Sequence, residues 1–187
     1  FCWIIGYKDG YQEWLKDKAN PESQTIYNAF EISPINNSSN QRRSTPNEAN
    51  RDGTIDWDKE NKRKRIKGRR AEELVMDFER QRLTEADRED LAVMVEDYST
   101  KYSKGFDILS WNVDGTERNI EVKSSSSNGF ILTRNELNKS EINPNYWIYI
   151  VNENKNQVQI KQIRTPSLKD ETKFRLEPKD YYVSFSI

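Results

Sequence analysis

An aspartate and a Glu-x-Lys tripeptide are the residues of this chain whose types and spacing best suit chemistry. Asp107 lies in the run Gly-Phe-Asp-Ile-Leu, while Glu121 and Lys123 flank a valine in the run Ile-Glu-Val-Lys. Carboxylates are the ligands that a hard divalent cation prefers, and an ammonium beside such an ion can polarise or orient a water molecule. If these three side chains converge, they can hold a cation and activate a water.

The surrounding sequence predicts a β-hairpin that brings the acidic residues together. Residues 105–111 and 118–123 have the short apolar composition of strands, and the Asn, Asp and Gly within 112–116 are typical of the turn between them. Because the second strand folds back on the first, we expect Asp107 to lie near Glu121.

Side-chain alternation along the second strand predicts which residues share a face. Successive side chains of a strand point to opposite faces of the sheet. Glu121 and Lys123 are therefore expected on one face, at the edge where Asp107 arrives, and Val122 on the other face in the core.

The composition excludes most other catalytic chemistry. The chain has 187 residues, no histidine and a single cysteine. Histidine-based triads, His-ligated zinc, an internal disulfide and thiolate metal sites are thereby excluded. Catalysis would have to use carboxylates, Lys, Tyr, Arg and a bound ion. Neither an apolar run of ~20 residues nor a signal-peptide pattern is present, so we expect a cytoplasmic, intracellular protein with no membrane partner.

Shifts in composition divide the chain into three parts. Residues 1–33 begin with apolar residues and predict a short helix over 11–18; they are either an N-terminal extension that packs on the main domain or the remnant of an upstream domain. Residues 34–53, rich in Asn, Ser, Pro and Arg, are predicted to be a linker. The main domain is expected over residues 54–187.

The main domain is predicted to consist of helices packed on a mixed sheet. A basic segment and an apolar helical stripe come first, and Thr84 with Asp87 has the spacing of a capping box for a second helix. After the hairpin, 130–132 is predicted as a third strand, and Thr133 with Glu136 as the capping box of another helix. The remaining predicted strands are 146–151, 158–163 and 181–187. The first of these is apolar throughout, which is typical of a strand buried on both faces.

In this order, the motifs resemble a known domain family. The element order, with Asp107 and Glu-x-Lys on adjacent strands, resembles the PD-(D/E)XK nuclease superfamily. More narrowly, residues from about 56 to 187 resemble the domain at the C-terminus of the protein NO VEIN, which recurs in prokaryotic restriction and defence proteins. The resembling segments are 68–75, 78–79, 105–108, 120–123, 130–136, 146–149 and 178–181. Ala71 stands where the family commonly has Gly, and Phe106 where the superfamily has Pro.

The resemblance implies a restriction endonuclease-like α/β fold, with an αβββαβ core whose mixed central sheet is flanked by helices. It also implies a DNA endonuclease that depends on Mg²⁺, with Mn²⁺ as a substitute. Asp107 and Glu121 would bind the metal ion, and the Val122 carbonyl would be a third protein oxygen. Mg²⁺ usually retains several waters, so few protein ligands suffice.

The resemblance also implies roles for a helical acid and for the lysine. Glu72 matches the superfamily's helical acid, which binds the metal directly or through water. The adjacent Glu73 would point ~100° away around the helix, so Glu72 is preferred. Lys123 would orient the attacking water, and could shuttle a proton if burial lowered its pKa. The expected catalytic set is thus Glu72, Asp107, Glu121 and Lys123.

A basic run precedes the helical acid, with eight Lys and Arg residues between positions 59 and 70. Such a run is often only a solvated helix face, and a nuclear localisation signal is a weaker alternative. Its position beside the proposed site favours contact with the phosphates of DNA. The residues expected to contact DNA are Lys62, Arg65, Lys67, Arg69, Arg70 and Ser124.

We therefore expect a metal-dependent DNA endonuclease domain that serves as the cleavage module of a restriction or anti-phage defence protein. Such a module would work with an upstream DNA-recognition domain or a partner subunit, and as a homodimer if it cuts both strands. Two alternatives stay open: a catalytically inactive nucleic-acid-binding domain with the same fold, and a protein-interaction module of a larger ATPase or helicase protein.

Overall fold

The computed structural model describes residues 2–19, 25–31, 56–100, 104–125, 129–155 and 157–164, together with Leu168, Phe174 and Leu176. The predicted linker and the predicted strand over 181–187 lie outside these residues. The described helices are α1 (Cys2–Lys18), α2 (Trp57–Glu85), α3 (Glu89–Ala92) and α4 (Arg134–Ile142). The described strands are β1 (Ile26–Glu31), β2 (Glu96–Asp97), β3 (Ile108–Trp111), β4 (Glu117–Ser124), β5 (Tyr146–Asn154) and β6 (Gln157–Arg164).

The strands form one mixed sheet in the order β1-β6-β5-β4-β3-β2. β4 and β5 are parallel, as are β1 and β6, and the other neighbours are antiparallel. α1 and α2 pack on one face, and α4 packs on the other. The predicted α/β fold, a mixed sheet flanked by helices, is confirmed. With the short helix α3 set aside, the succession α2, β2, β3, β4, α4, β5 follows the αβββαβ order.

The central strand β5 is buried on both faces, as its apolar sequence predicts. Trp147, Tyr149 and Val151 pack in the core beneath α2. The alternating residues Tyr146, Ile148 and Ile150 pack in a second core beneath α4. Each face of β5 therefore supports one of the two helices from which site residues come.

α2 is one continuous helix of 29 residues, about 43 Å long. It begins at the N-cap Asp56, whose side chain accepts a hydrogen bond from the Lys59 amide, so the basic segment is part of the helix. Gly68 does not interrupt the helix, since the residues around it are strong helix formers. The same rigid element thus carries the basic residues and the helical acid.

The predicted N-cap at Thr84 is wrong, because Thr84 lies inside the last turn of α2 and its hydroxyl donates to the Arg80 carbonyl. Asp87, expected in the capping box, instead has a left-handed φ of 56° and terminates the helix. The amides of Asp87 and Arg88 donate to the carbonyls of Thr84 and Leu83, which is the Schellman pattern of a helix C-terminus. The following helix α3 is therefore limited to Glu89–Ala92.

The predicted strand at 130–132 is also wrong, since these residues have no strand conformation. Phe130 and Leu132 pack against the core beneath α4, and this packing accounts for their apolar character. The third strand before α4 is instead the two-residue strand β2, which pairs with β3 through Glu96 and Asp97. A strand this short has too few residues for a periodic signal.

The N-terminal residues pack on the same sheet. β1 is paired in parallel with β6, and Tyr11 of α1 is buried in the core beneath α2. Asp77 of α2 accepts hydrogen bonds from Trp14 and Lys18 of α1 and from Tyr27 of β1. Among the described helices, none is both long enough and apolar enough to cross a membrane.

Candidate active site

The hairpin of β3 and β4 holds Asp107 against the middle of β4. The Asp107 amide donates to the Ile120 carbonyl at 2.9 Å, and Asp107 Oδ2 accepts from the Val122 amide at 2.8 Å. Two residues earlier, Gly105 has a left-handed φ of 75°, and a Cβ there would lie 3.1 Å from Cε of Lys139. Both the conformation and the space at this turn favour glycine.

Three charged side chains converge on the α4 side of the sheet. Lys123 Nζ donates to Glu121 Oε1 and to Glu136 Oε2, each at 2.8 Å. The second oxygen of Glu121 accepts from the Tyr146 hydroxyl at 3.2 Å. As the alternation predicts, Glu121 and Lys123 share this face, while Val122 packs against the core beneath α2.

Burial disfavours ionisation of the two carboxyl groups of the hairpin, those of Asp107 and Glu121. Desolvation, opposed by the hydrogen bond from the Val122 amide, raises the pKa of Asp107 from 3.8 to about 6, and the charge of Glu72 adds to the rise. Desolvation and the charge of Asp107 together raise the pKa of Glu121 from 4.5 to about 7. Two adjacent acids in a low-dielectric environment repel each other, and a cation between them would relieve both penalties.

Lys123, in contrast, is in an environment that favours its charged form. Burial by itself would lower its pKa, but attraction and hydrogen bonding to Glu121 and Glu136 outweigh that effect and raise the pKa of Lys123 above its usual value. The condition under which Lys123 could shuttle a proton, a pKa lowered by burial, is therefore not met. The side chain is an ammonium suited to stabilising negative charge and orienting a water.

The helical acid Glu72 approaches from the α2 side of the sheet. Its carboxylate accepts from Arg69 at 3.2 Å, and Arg69 in turn donates to Asp97 of β2 at 2.5 Å. The side chain of Glu72 is 19% exposed and that of Glu73 is 51% exposed, so Glu72 is the more buried of the two acids. The charge of Glu72 and the charges of Lys123 and Glu136 all affect the pKa of Asp107.

A buried carboxylate fixes α2 on the sheet. Glu79 is 0% exposed and accepts hydrogen bonds from Arg82, from the Ser110 hydroxyl of β3 and from the Tyr149 hydroxyl of β5. Arg118 of β4 lies 3.8 Å away and stacks on Trp147. Because the Glu79 carboxylate and its partners are hydrogen-bonded to one another, the network holds α2, and with it Glu72, in one position over the strands.

The described residues do not form a complete metal-binding cluster. Among them, no three His, Cys, Asp or Glu side chains are grouped so as to hold an ion. What the hairpin provides is a pair of acidic oxygen donors, Asp107 and Glu121, with Glu72 near enough for its charge to affect Asp107. Two carboxylates suit Mg²⁺, which completes its coordination shell with water.

The predicted DNA contacts fall into two groups. Residues Trp57–Lys67 form an exposed N-terminal segment of α2, here called the basic arm, in which only Glu60 is half-buried. Lys62, Arg65 and Lys67, here called the arm trio, have no ion pair within the described part of the chain. Among the described residues, no acid neutralises their charges.

The other predicted DNA contacts are engaged within the protein. Arg69 is paired with Glu72, Glu73 and Asp97, while Arg70 is paired with Glu73 and with Glu153 of β5. Arg69 therefore holds the helical acid in place. Ser124, expected in a loop, is the last residue of β4, and residues 126–128 lie outside the described part.

Sequence reasoning missed two residues of the site. Glu136 is recognisable only as the capping residue of α4, and both hydrogen bonds of the predicted capping box with Thr133 are present. Tyr146 is recognisable only as a core residue of β5. Neither sequence signal indicates contact with Glu121 or Lys123, because both contacts depend on how α4 and β5 dock beside β4.

Comparison with known proteins gives one family. The family model described as "Protein NO VEIN, C-terminal" matches residues 71–163 of the chain, from the start of the apolar half of α2 to the end of β6. The matched residues include Glu72, Asp107, Glu121, Lys123 and Glu136. The chain matches no curated protein and no solved structure.

Proposed function

Residues 71–163 belong to the NO VEIN C-terminal domain family, and we propose that this domain is a divalent-cation-dependent DNA endonuclease. The observation that carries the proposal is the convergence of Asp107, Glu121 and Lys123 at one hairpin. The Asp107 carboxylate accepts a hydrogen bond from the Val122 amide, and the Lys123 ammonium donates one to Glu121 at 2.8 Å. Hydrolysis of a phosphodiester needs a positioned water and stabilisation of developing negative charge, and these groups are suited to both tasks.

The acids fit a hard cation because they are buried together. Ionising both Asp107 and Glu121 in this environment is unfavourable, as their raised pKa values indicate. Mg²⁺, or Mn²⁺ in its place, would be held by these carboxylates, with Glu72 as a further acid acting directly or through water. When bound, the ion supplies Lewis acidity and lowers the pKa of a coordinated water.

The remaining chemistry belongs to Lys123. Its ammonium, held by two carboxylates, can donate a hydrogen bond to a water or to a phosphoryl oxygen and stabilise charge there. Because its pKa is raised, we assign it electrostatic and orienting work and no role as a base.

The basic arm supports nucleic acid as the substrate. It leads directly into the turn of α2 that carries Glu72, and the rise of an α-helix separates Arg65 from Glu72 by about 10 Å along the axis. The arm trio can therefore contact backbone phosphates near the hairpin. We further propose that the domain is the cleavage module of a restriction or anti-phage defence protein, acting with a DNA-recognition domain or subunit and as a homodimer if both strands are cut.

A plasmid assay tests the activity. The wild-type chain and the variants Asp107→Ala, Lys123→Ala and Glu117→Gln are incubated with supercoiled plasmid and Mg²⁺, Mn²⁺ or EDTA. Glu117 is an exposed acid on the same strand and is the matched control. We expect metal-dependent nicking by the wild type and the control, and loss of nicking in the other two variants. Absence of cleavage with either ion, or cleavage that persists in Asp107→Ala, would refute the nuclease.

A second candidate function is a catalytically inactive nucleic-acid-binding domain. It is favoured by the absence of a three-acid cluster among the described residues and by the bond of Lys123 to Glu121, an expected metal ligand. Binding of plasmid by every variant, without cleavage by any, supports this candidate. Absence of both binding and cleavage would favour the protein-interaction module.

A further inference from the structure

Glu136 has two partners that belong to different parts of the fold. Its Oε2 accepts a hydrogen bond from the Thr133 amide at 2.9 Å, and the same oxygen accepts one from Lys123 Nζ at 2.8 Å. The Glu136 amide donates a hydrogen bond to the Thr133 hydroxyl at 3.2 Å. The carboxylate that closes the N-terminus of α4 therefore also holds the lysine of β4.

The contact follows from the connection between β4 and β5. These strands are parallel, so the chain must cross back through α4, which begins close to the end at which β4 finishes. Lys123 is the penultimate residue of β4, and Glu136 lies in the first turn of α4. Leu137 packs beneath α4 against the core, which fixes this turn of the helix over the strand.

We propose that Glu136 is a positioning residue of the active site: it anchors the Lys123 ammonium from the α4 side, as a second carboxylate partner besides Glu121. The inference rests on the proposed nuclease function for its catalytic consequence, but the anchoring itself does not require cleavage.

The need for a second anchor arises from the two demands on Glu121. Glu121 is both the partner of Lys123 and an acid expected to hold a divalent cation, and a carboxylate drawn toward a cation attracts the ammonium less. Glu136 is not among the expected metal ligands, and its Oε2 is also held by the Thr133 amide of the capping box. With Glu136 present, Lys123 keeps a carboxylate partner and a fixed direction when Glu121 is engaged elsewhere.

The substitution Glu136→Gln removes the negative charge beside Lys123 and keeps the capping role of residue 136. Glutamine at this position can still accept the hydrogen bond from the Thr133 amide, so the capping box is retained. It cannot offer Lys123 a carboxylate. Thr133→Ala does the reverse, since it removes the hydroxyl that accepts from the Glu136 amide while leaving the Glu136 carboxylate facing Lys123.

The first measurement is the ¹⁵Nζ signal of Lys123 in metal-free protein, identified by its absence in Lys123→Met. An ammonium held by two carboxylates exchanges its protons slowly enough to be observed. We expect the signal in the wild type, in Thr133→Ala and in Glu117→Gln, and its loss or broadening in Glu136→Gln. An unchanged signal in Glu136→Gln overturns the proposal, whether or not the domain cleaves DNA.

The second measurement is plasmid nicking together with DNA affinity and melting temperature. We expect kcat of Glu136→Gln to fall about tenfold or more, as for loss of a charged hydrogen bond, with the DNA Kd and the melting temperature within error of the wild type. Thr133→Ala is expected to lower the melting temperature and to lose less activity than Glu136→Gln. Equal losses of activity in the two variants would show that the cap, rather than the charge, matters, and would overturn the proposal. If the wild type does not cleave, the nuclease fails while the ammonium signal still decides the anchoring.

Discussion

The site acids are expected to destabilise the metal-free protein, and Glu121→Gln should therefore stabilise it. Glu121 is 6% exposed, and its pKa is raised from 4.5 to about 7 by burial and by the charge of Asp107. The raised value already includes the attraction of Lys123, so it measures the net cost of ionisation in the folded state. Glutamine has nearly the shape of the protonated acid and can keep the contact with the Tyr146 hydroxyl.

The magnitude follows from the shift. At 1.36 kcal/mol per pKa unit, a rise of between two and three units corresponds to about 3 kcal/mol. Because the folded-state pKa lies above the unfolded-state value, the folded protein retains the proton, and stability is lost as the pH rises from about 4.5 to about 7. The advantage of Glu121→Gln is therefore greatest at pH 8 and vanishes near pH 4.5.

Urea unfolding followed by circular dichroism, in EDTA and between pH 4.5 and 8, measures this difference. Glu117→Gln, an exposed acid on the same strand, should show no such pH-dependent gain. Mg²⁺ should raise the stability of the wild type by mass action and that of Glu121→Gln by less. A Glu121→Gln protein that is less stable than the wild type at pH 8, or a difference that does not shrink on acidification, refutes the electrostatic account of the site.

Three further predictions concern the scaffold and the substrate. Glu79→Ala should cost about 3–5 kcal/mol of unfolding free energy, measured in urea, because it leaves half-buried cationic partners and buried hydroxyl partners without their carboxylate; a loss below 1 kcal/mol contradicts the proposed role. Replacing all three residues of the arm trio by Ala should weaken DNA binding uniformly across sequences and reduce the slope of log K against log salt by about 3, measured by fluorescence anisotropy; an unchanged slope excludes the arm as the binding surface. Asp87→Gly should raise the stability by about 0.5–1 kcal/mol, since φ is 56° at this residue and glycine adopts that conformation without steric cost; a lower melting temperature would show that the Asp87 side chain has a role of its own.

The sequence by itself was sufficient for features that depend on local periodicity and turn chemistry. The β3–β4 hairpin is determined by two apolar runs and a turn, and this hairpin alone brings Asp107 to within a hydrogen bond of the Val122 amide. The capping box of Thr133 and Glu136 and the double burial of β5 follow similarly from short patterns. Local patterns also misled at Thr84 and Asp87, where the spacing of a helix start coincides with the actual residues of a helix end.

What only the tertiary structure decided is how residues distant in the chain share charges. The parallel docking of β5 beside β4 places the start of α4 over Lys123, which gives that lysine a second carboxylate and keeps its pKa high. Packing of α2 on the opposite face sets Glu72 beside Arg69 and Asp97. Sequence patterns specify which face of an element is buried, whereas the partners of a buried charge depend on the order of strands and the docking of helices. For that reason the sequence indicated the candidate site residues, and the fold determined their electrostatic environment and their hydrogen-bond partners.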